Sequence, residues 1–199
     1  LRSSFVAIDE ALKASIDALG PVRVLIAPSL MHHLFLGEWI AAYPEAQSYV
    51  PAGLGAKRPD LAYDAELGPE FDAAWGEELR RFPIAGMPKI NESLFLHARS
   101  NTLIVTDFCF LMPEARGMTG LFARLTGIKK RARCELSFKI KVKDKRAFRA
   151  SLQALRGCDI AHLSMCHHQV LSSGASENLQ TILDELQVPS TEDLEASSR

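Results

Sequence analysis

No C-x-x-C pair occurs in this sequence. Its four cysteines, Cys109, Cys134, Cys158 and Cys166, stand apart, which excludes a zinc knuckle and a thioredoxin-like redox motif. Cys109, Cys158 and Cys166 sit among apolar neighbours and read as small buried residues. Unpaired thiols of this kind fit a reduced, cytoplasmic setting. Also missing is any apolar run long enough to span a bilayer. The opening residues, LRSS, lack the charged-then-apolar layout of a signal peptide. Net charge is nearly absent: 23 Lys and Arg stand against 24 Asp and Glu, so the molecule as a whole implies no electrostatic partner. No internal repeat is visible, which excludes a solenoid.

What the chain does have is an ordinary globular balance. Of its 199 residues, 47% are apolar and 24% are charged, enough to fill one sizeable core. The reading is a single domain over residues 1–188 and a polar tail over 189–199. Residues 5–8 read as a short strand. Asp9 is placed to cap a helix with Leu12, Ile16 and Leu19 on one face and Gly20 as its stop. Residues 22–27 are almost continuously apolar, the mark of a strand covered on both faces. A helix through Tyr43, a strand to Val50, an irregular Gly/Pro/Asp-rich stretch over 52–69 and a strand near 79–84 follow. Residues 93–97 and 102–106 read as a hairpin. Then come partly helical residues 112–127, an amphipathic helix over 145–156, a buried strand over 158–166 and a last helix over 176–186. The fold class is α/β.

Chemistry is suggested where strands stop. The stretch VRVLIAPSLMHHLFLGEW, residues 22–39, breaks at Pro28 and sets His32 beside His33 ahead of a helix. The strand 102–106 delivers Asp107, and the final strand ends at His167 and His168. Imidazole nitrogen and carboxylate oxygen at the C-terminal ends of strands are what zinc, iron or manganese sites use. The alternative is that the histidines are loop residues and Asp107 caps a turn. Trp39 reads as a packing anchor, Glu38 as an exposed helix position able to accept an imidazole N–H, and His97 as a surface residue.

A second feature is local charge. Residues 116–149 hold twelve Lys or Arg against two acids, Glu135 and Asp144. Such a segment can attract phosphate-rich polymers or an anionic membrane surface. The alternation of Lys139, Lys141 and Lys143 is read instead as one solvated strand face. Between Lys129 and Lys143 Phe138 is the only aromatic residue, so nucleic-acid binding is not expected.

The stretches ALGPVR, APSLMHHLFLGEW, KRPDL and TLIVTD resemble a divergent bacterial-type branch of the metallo-β-lactamase superfamily, a domain family of unknown function. The resemblance runs from about residue 1 to residue 186. It implies a layered αββα sandwich that here lacks its opening strands. An unpaired sheet edge would then invite a homo-oligomer. The superfamily's H-x-H-x-D-H motif is eroded: Pro28 and Leu30 stand where its first two histidines would be, His32 on its aspartate and His33 on its last histidine. Met87 replaces the next histidine, Asp107 matches the bridging aspartate and His167 the final histidine. The resemblance therefore implies one surviving metal site of His33, Asp107 and His167, joined by His32, with Asp107 central to catalysis. Two functions stay open. One is a hydrolase in which a single divalent ion activates water for attack on a small-molecule substrate. The other is a non-catalytic binding or structural domain descended from such an enzyme.

Overall fold

The structure is a computed structural model that describes residues 5–134, 136–166 and 170–189. Among these residues the chain forms eight α-helices and seven strands in two sheets, a mixed α/β fold. None of the described helices is long and apolar enough to cross a membrane.

The first sheet is parallel, with β1 (Val24–Ile26) beside β2 (Gln47–Val50) and β2 beside β3 (Ala65–Glu66). Parallel neighbours need a crossover, and α2 (Leu36–Ala42) supplies it between β1 and β2. The apolar run of β1 divides as its continuity predicts. Leu25 and Ala27 pack with Leu36, Trp39 and Val50, whereas Val24 and Ile26 join a cluster on Tyr49 and Phe71. Within the stretch expected to be irregular, 52–69, lie the short α3 (Leu54–Lys57) and β3, and α4 (Pro69–Trp75) begins at its end.

The second sheet runs β4 (Leu79–Pro83), β5 (Ser93–His97), β6 (Thr102–Val105) and β7 (His162–Met165). The first three are antiparallel, and β7 lies parallel to β6. The expected hairpin is β5–β6, turned by residues 98–100 and by Asn101 at φ 47°, a conformation asparagine tolerates better than most residues. Alternate residues again face opposite ways. Leu94, Leu103, Val105, Leu163 and Met165 pack in one cluster with α7 (Lys145–Leu152) and α8 (Ala175–Glu185). Leu79, Phe95 and Ile104 meet Tyr49 and Phe71 in the other. Phe71 is the hinge of that contact. It stands edge-on to Tyr49 at 5.0 Å and to Phe95 at 5.7 Å, so one ring joins strands of both sheets.

Three expectations change. Residues 5–8 form no strand; their backbone bonds run sideways to α2, with the Trp39 indole donating to the Val6 carbonyl at 2.7 Å and Glu38 accepting from Ile8 N–H. The helix at Asp9 is present as α1 (Glu10–Asp17), with the Asp9 carboxylate accepting from Leu12 N–H at 2.7 Å. Residues 136–140 form a helix, α6 (Leu136–Ile140), so Lys139, Lys141 and Lys143 line no strand face. Phe138 decides this: it is buried against Phe108 and Phe148. Burial of one aromatic anchor outweighs a period-two charge pattern. Finally, only residues 162–165 of the expected strand over 158–166 are extended in the sheet.

Phe71→Ala should destabilise the protein by about 3–5 kcal/mol, the usual cost of emptying a core aromatic site. Urea unfolding checks it. A loss under about 1 kcal/mol would mean that the two sheets do not depend on that ring.

Candidate functional site

The His-bearing loop follows directly from β1. Pro28 ends the strand, and its carbonyl accepts from Ser93 N–H at 2.9 Å. Ser29 is fully buried; its hydroxyl accepts from Met31 N–H and its carbonyl from His32 N–H, which makes a tight turn. Leu30 N–H donates to the Ile90 carbonyl at 2.8 Å. Residues 28–33 are thus fastened to residues 90–93, the loop that leads into β5.

The same loop fastens Asp107. Glu92 is 1% exposed, and its Oε1 accepts from both the Thr106 N–H at 2.9 Å and the Thr106 hydroxyl at 2.7 Å. Oε2 has no hydrogen-bond partner among the described residues. Burial pushes the Glu92 carboxyl up to about 7 against the opposing pull of the Thr106 bonds, with Asp107 adding to the rise and His32 countering it.

These attachments bring three strand ends together. His32 Nε2 lies 3.0 Å from Asp107 Oδ1, with both side chains mostly buried. Cys166, one residue past β7, donates its thiol hydrogen to the Thr106 carbonyl at 3.4 Å. One ligand atom from each of His32, Asp107 and Cys166 lies within 4.8 Å of the others, a group that could hold a metal ion. Nitrogen, oxygen and sulfur donors together match a borderline metal such as zinc. Burial, with the carboxylates of Asp107 and Glu92 nearby, pushes the Cys166 thiol up to about 12.

Of the residues expected at the site, His32 and Asp107 meet. His33 stands outside the triangle. It is buried, and its Nδ1 faces Arg58 Nη1 at 3.3 Å. Arg58 is held in turn by both oxygens of Asp60, at 2.8 and 2.7 Å. Burial and then the charges of Lys57 and Arg58 hold the His33 imidazole below its ordinary value, so it faces Arg58 as a neutral acceptor. His167 and His168 lie outside the described residues. Met87 is a core residue, and His97 bonds to Ser100 at the hairpin turn. Sequence reasoning missed Cys166, Glu92 and Arg58. Cys166 carried the same signal as His167, a ligand type just past a buried strand. The KRPDL stretch drew attention only as part of a resemblance.

An apolar cavity of about 350 Å³ lies elsewhere, walled by Phe5, Ile16, Ile26, Trp39, Phe95 and Ile104. It touches the site only through Pro28 and Thr106. With no titratable side chain on its wall, it cannot by itself do chemistry. No protein-family model matches the chain, and no curated protein matches it either.

The Glu92 carboxyl rises from an ordinary 4.5 to about 7 on folding, so the folded state holds its proton more tightly than the unfolded chain. That contribution is complete below pH 4.5 and is lost as pH rises through 7, amounting to about 3 kcal/mol. In chelator-treated protein, wild-type stability should therefore fall over this range relative to Glu92→Gln. Parallel pH profiles from urea unfolding of the two proteins would refute it.

Proposed function

We propose that the chain holds one divalent metal ion through His32, Asp107 and Cys166 and acts as a metal-dependent hydrolase on a small-molecule substrate. The observation that carries this reading is the convergence of three different ligand types, from three strand ends, within 4.8 Å. A bound ion would supply an acidified water and a Lewis acid at that point. The thiolate favours zinc or iron over manganese. Three protein ligands leave a coordination position open, as catalytic sites require and structural ones do not. The chain's own residues hold the geometry: Glu92 and Thr106 fix the backbone leading to Asp107, and the Ser29 turn aims His32. Asp107 would hold the ion as its carboxylate ligand. The element order supports the metallo-β-lactamase-like sandwich as the setting: strand, histidine loop, helix, strand, hairpin, Thr-Asp, helix, strand.

One observation favours the second reading, a non-catalytic descendant. His32 and Asp107 already contact each other at 3.0 Å, so each has a polar partner without an ion. Metal analysis separates the two. Protein purified without added metal should carry about one equivalent per chain, and His32→Ala and Cys166→Ala should carry almost none. After removal of metal with a chelator, zinc at a hundredfold excess over its dissociation constant should stabilise the wild type by about 2.7 kcal/mol, a rise of roughly 5–10 °C in Tm, with no shift in either variant. A wild type that purifies free of metal, and whose Tm ignores zinc, iron and manganese, leaves only the binding-domain reading.

A further inference from the structure

We propose that α5 (Gly117–Thr126) is a membrane-surface helix that docks on an anionic lipid bilayer. It is built the reverse of an ordinary surface helix. Its buried residues are both small, Gly120 and Ala123, three apart on one face. A side chain at Gly120 would meet the Ala115 carbonyl at 2.5 Å, so the helix can sit this closely only with glycine there. Its large apolar residues point the other way. Met118, Leu121, Phe122 and Leu125 are 82%, 52%, 46% and 78% exposed. Their spacing of three, one and three makes a single stripe, centred on the opposite side of the helix from Gly120 and Ala123. A helix whose apolar stripe faced the core would hide those four residues. A contiguous exposed stripe of this kind marks an interaction surface.

Charge identifies the partner. Arg116 caps the helix, Arg124 lies in its last turn and Lys130 follows it; all three are exposed, and among the described residues none has an ion-pair partner. Glu114 is the one acid beside them; none then occurs until Glu135. Arg131 and Arg133 are already engaged by Glu185. An apolar stripe with phenylalanine and leucine, with exposed arginine and lysine near both ends of the helix, suits the boundary between anionic headgroups and acyl chains. A second copy fits worse. Two-fold pairing through the stripe would bring the basic residues of one copy, Arg116, Arg124 and Lys130, towards those of the other. At ten residues the helix lies on the bilayer and does not cross it.

Vesicle flotation of the whole chain tests this, using phosphatidylcholine vesicles with and without about a third phosphatidylserine. The protein should float with the anionic vesicles, not with the neutral ones, and less as salt rises. Leu121→Asp with Phe122→Asp, and separately Arg116→Glu with Arg124→Glu, should weaken binding at least about tenfold. All four positions are exposed, and circular dichroism with an unchanged Tm confirms that the variants fold. The proposal fails if the wild type ignores anionic vesicles at low salt, or if the Asp pair floats as well as the wild type. It also fails if the wild type sediments as a dimer that the Asp pair dissociates, for the stripe is then an interface between copies.

Discussion

Glu92 takes both hydrogen bonds of Thr106 onto one oxygen, away from water, and leaves its other oxygen without a partner among the described residues. Burying a carboxyl in this way is unfavourable to its charged form, and burial accordingly pushes it up to about 7. What it secures is a junction. The loop that carries Glu92 also accepts from Leu30 N–H at Ile90 and donates from Ser93 N–H to Pro28. His32 descends from β1 in one sheet, while Asp107 and Cys166 follow β6 and β7 in the other. Among the described residues no strand pairing connects the two groups at this rim, and the loop between β4 and β5 does. Its far end is tied as well. Gly86, at φ +76°, lets Lys143 and Asp144 donate to its carbonyl; a side chain there would lie 2.2 Å from the Asp144 carbonyl.

The two adjacent histidines show how far a short turn can divide like residues. The Ser29 turn directs His32 to Asp107, and the chain then carries His33 to Arg58. A metal at His33 would face a guanidinium already fixed by Asp60, and repulsion between the two cations would oppose binding. At His32 the neighbour is a carboxylate, which attracts a cation. Between chemically identical ligands, the electrostatic surroundings choose the one suited to metal.

Much of this was legible because burial leaves a pattern. The unbroken apolar run of β1, the hairpin alternation of β5 and β6, and the Asp9 cap each depend on local sequence, and each is present. His32 and Asp107 could be found because each follows a buried strand. Glu92 could not. It sits between Asn91 and Ser93 in a polar stretch, and its burial comes from tertiary packing that no local pattern reports. Cys166 was read from its apolar neighbours as packing, although its thiol ends beside two carboxylates. Residues 136–140 misled for the same reason, since alternating lysines describe a surface, whereas the buried Phe138 fixes the backbone beneath. Local pattern reports which residues leave water; it does not report which distant groups they meet there.

The position of α5 relative to the site follows from one pair of backbone bonds. Phe110 and Arg133 exchange N–H to carbonyl bonds at 3.0 and 3.1 Å, and Met112 N–H donates to the Ile128 carbonyl at 2.8 Å. Together they clamp the base of a loop that leaves the site three residues after Asp107 and carries α5 at its far end. Cys109, Ala132 and Cys134 are buried around that base, so opening it would expose core as well as break hydrogen bonds. The backbone that leads to Asp107 is held separately, by Glu92 through Thr106. The fold can thus combine a peripheral helix that carries an apolar and basic surface with a rim where three ligand types are kept in fixed register.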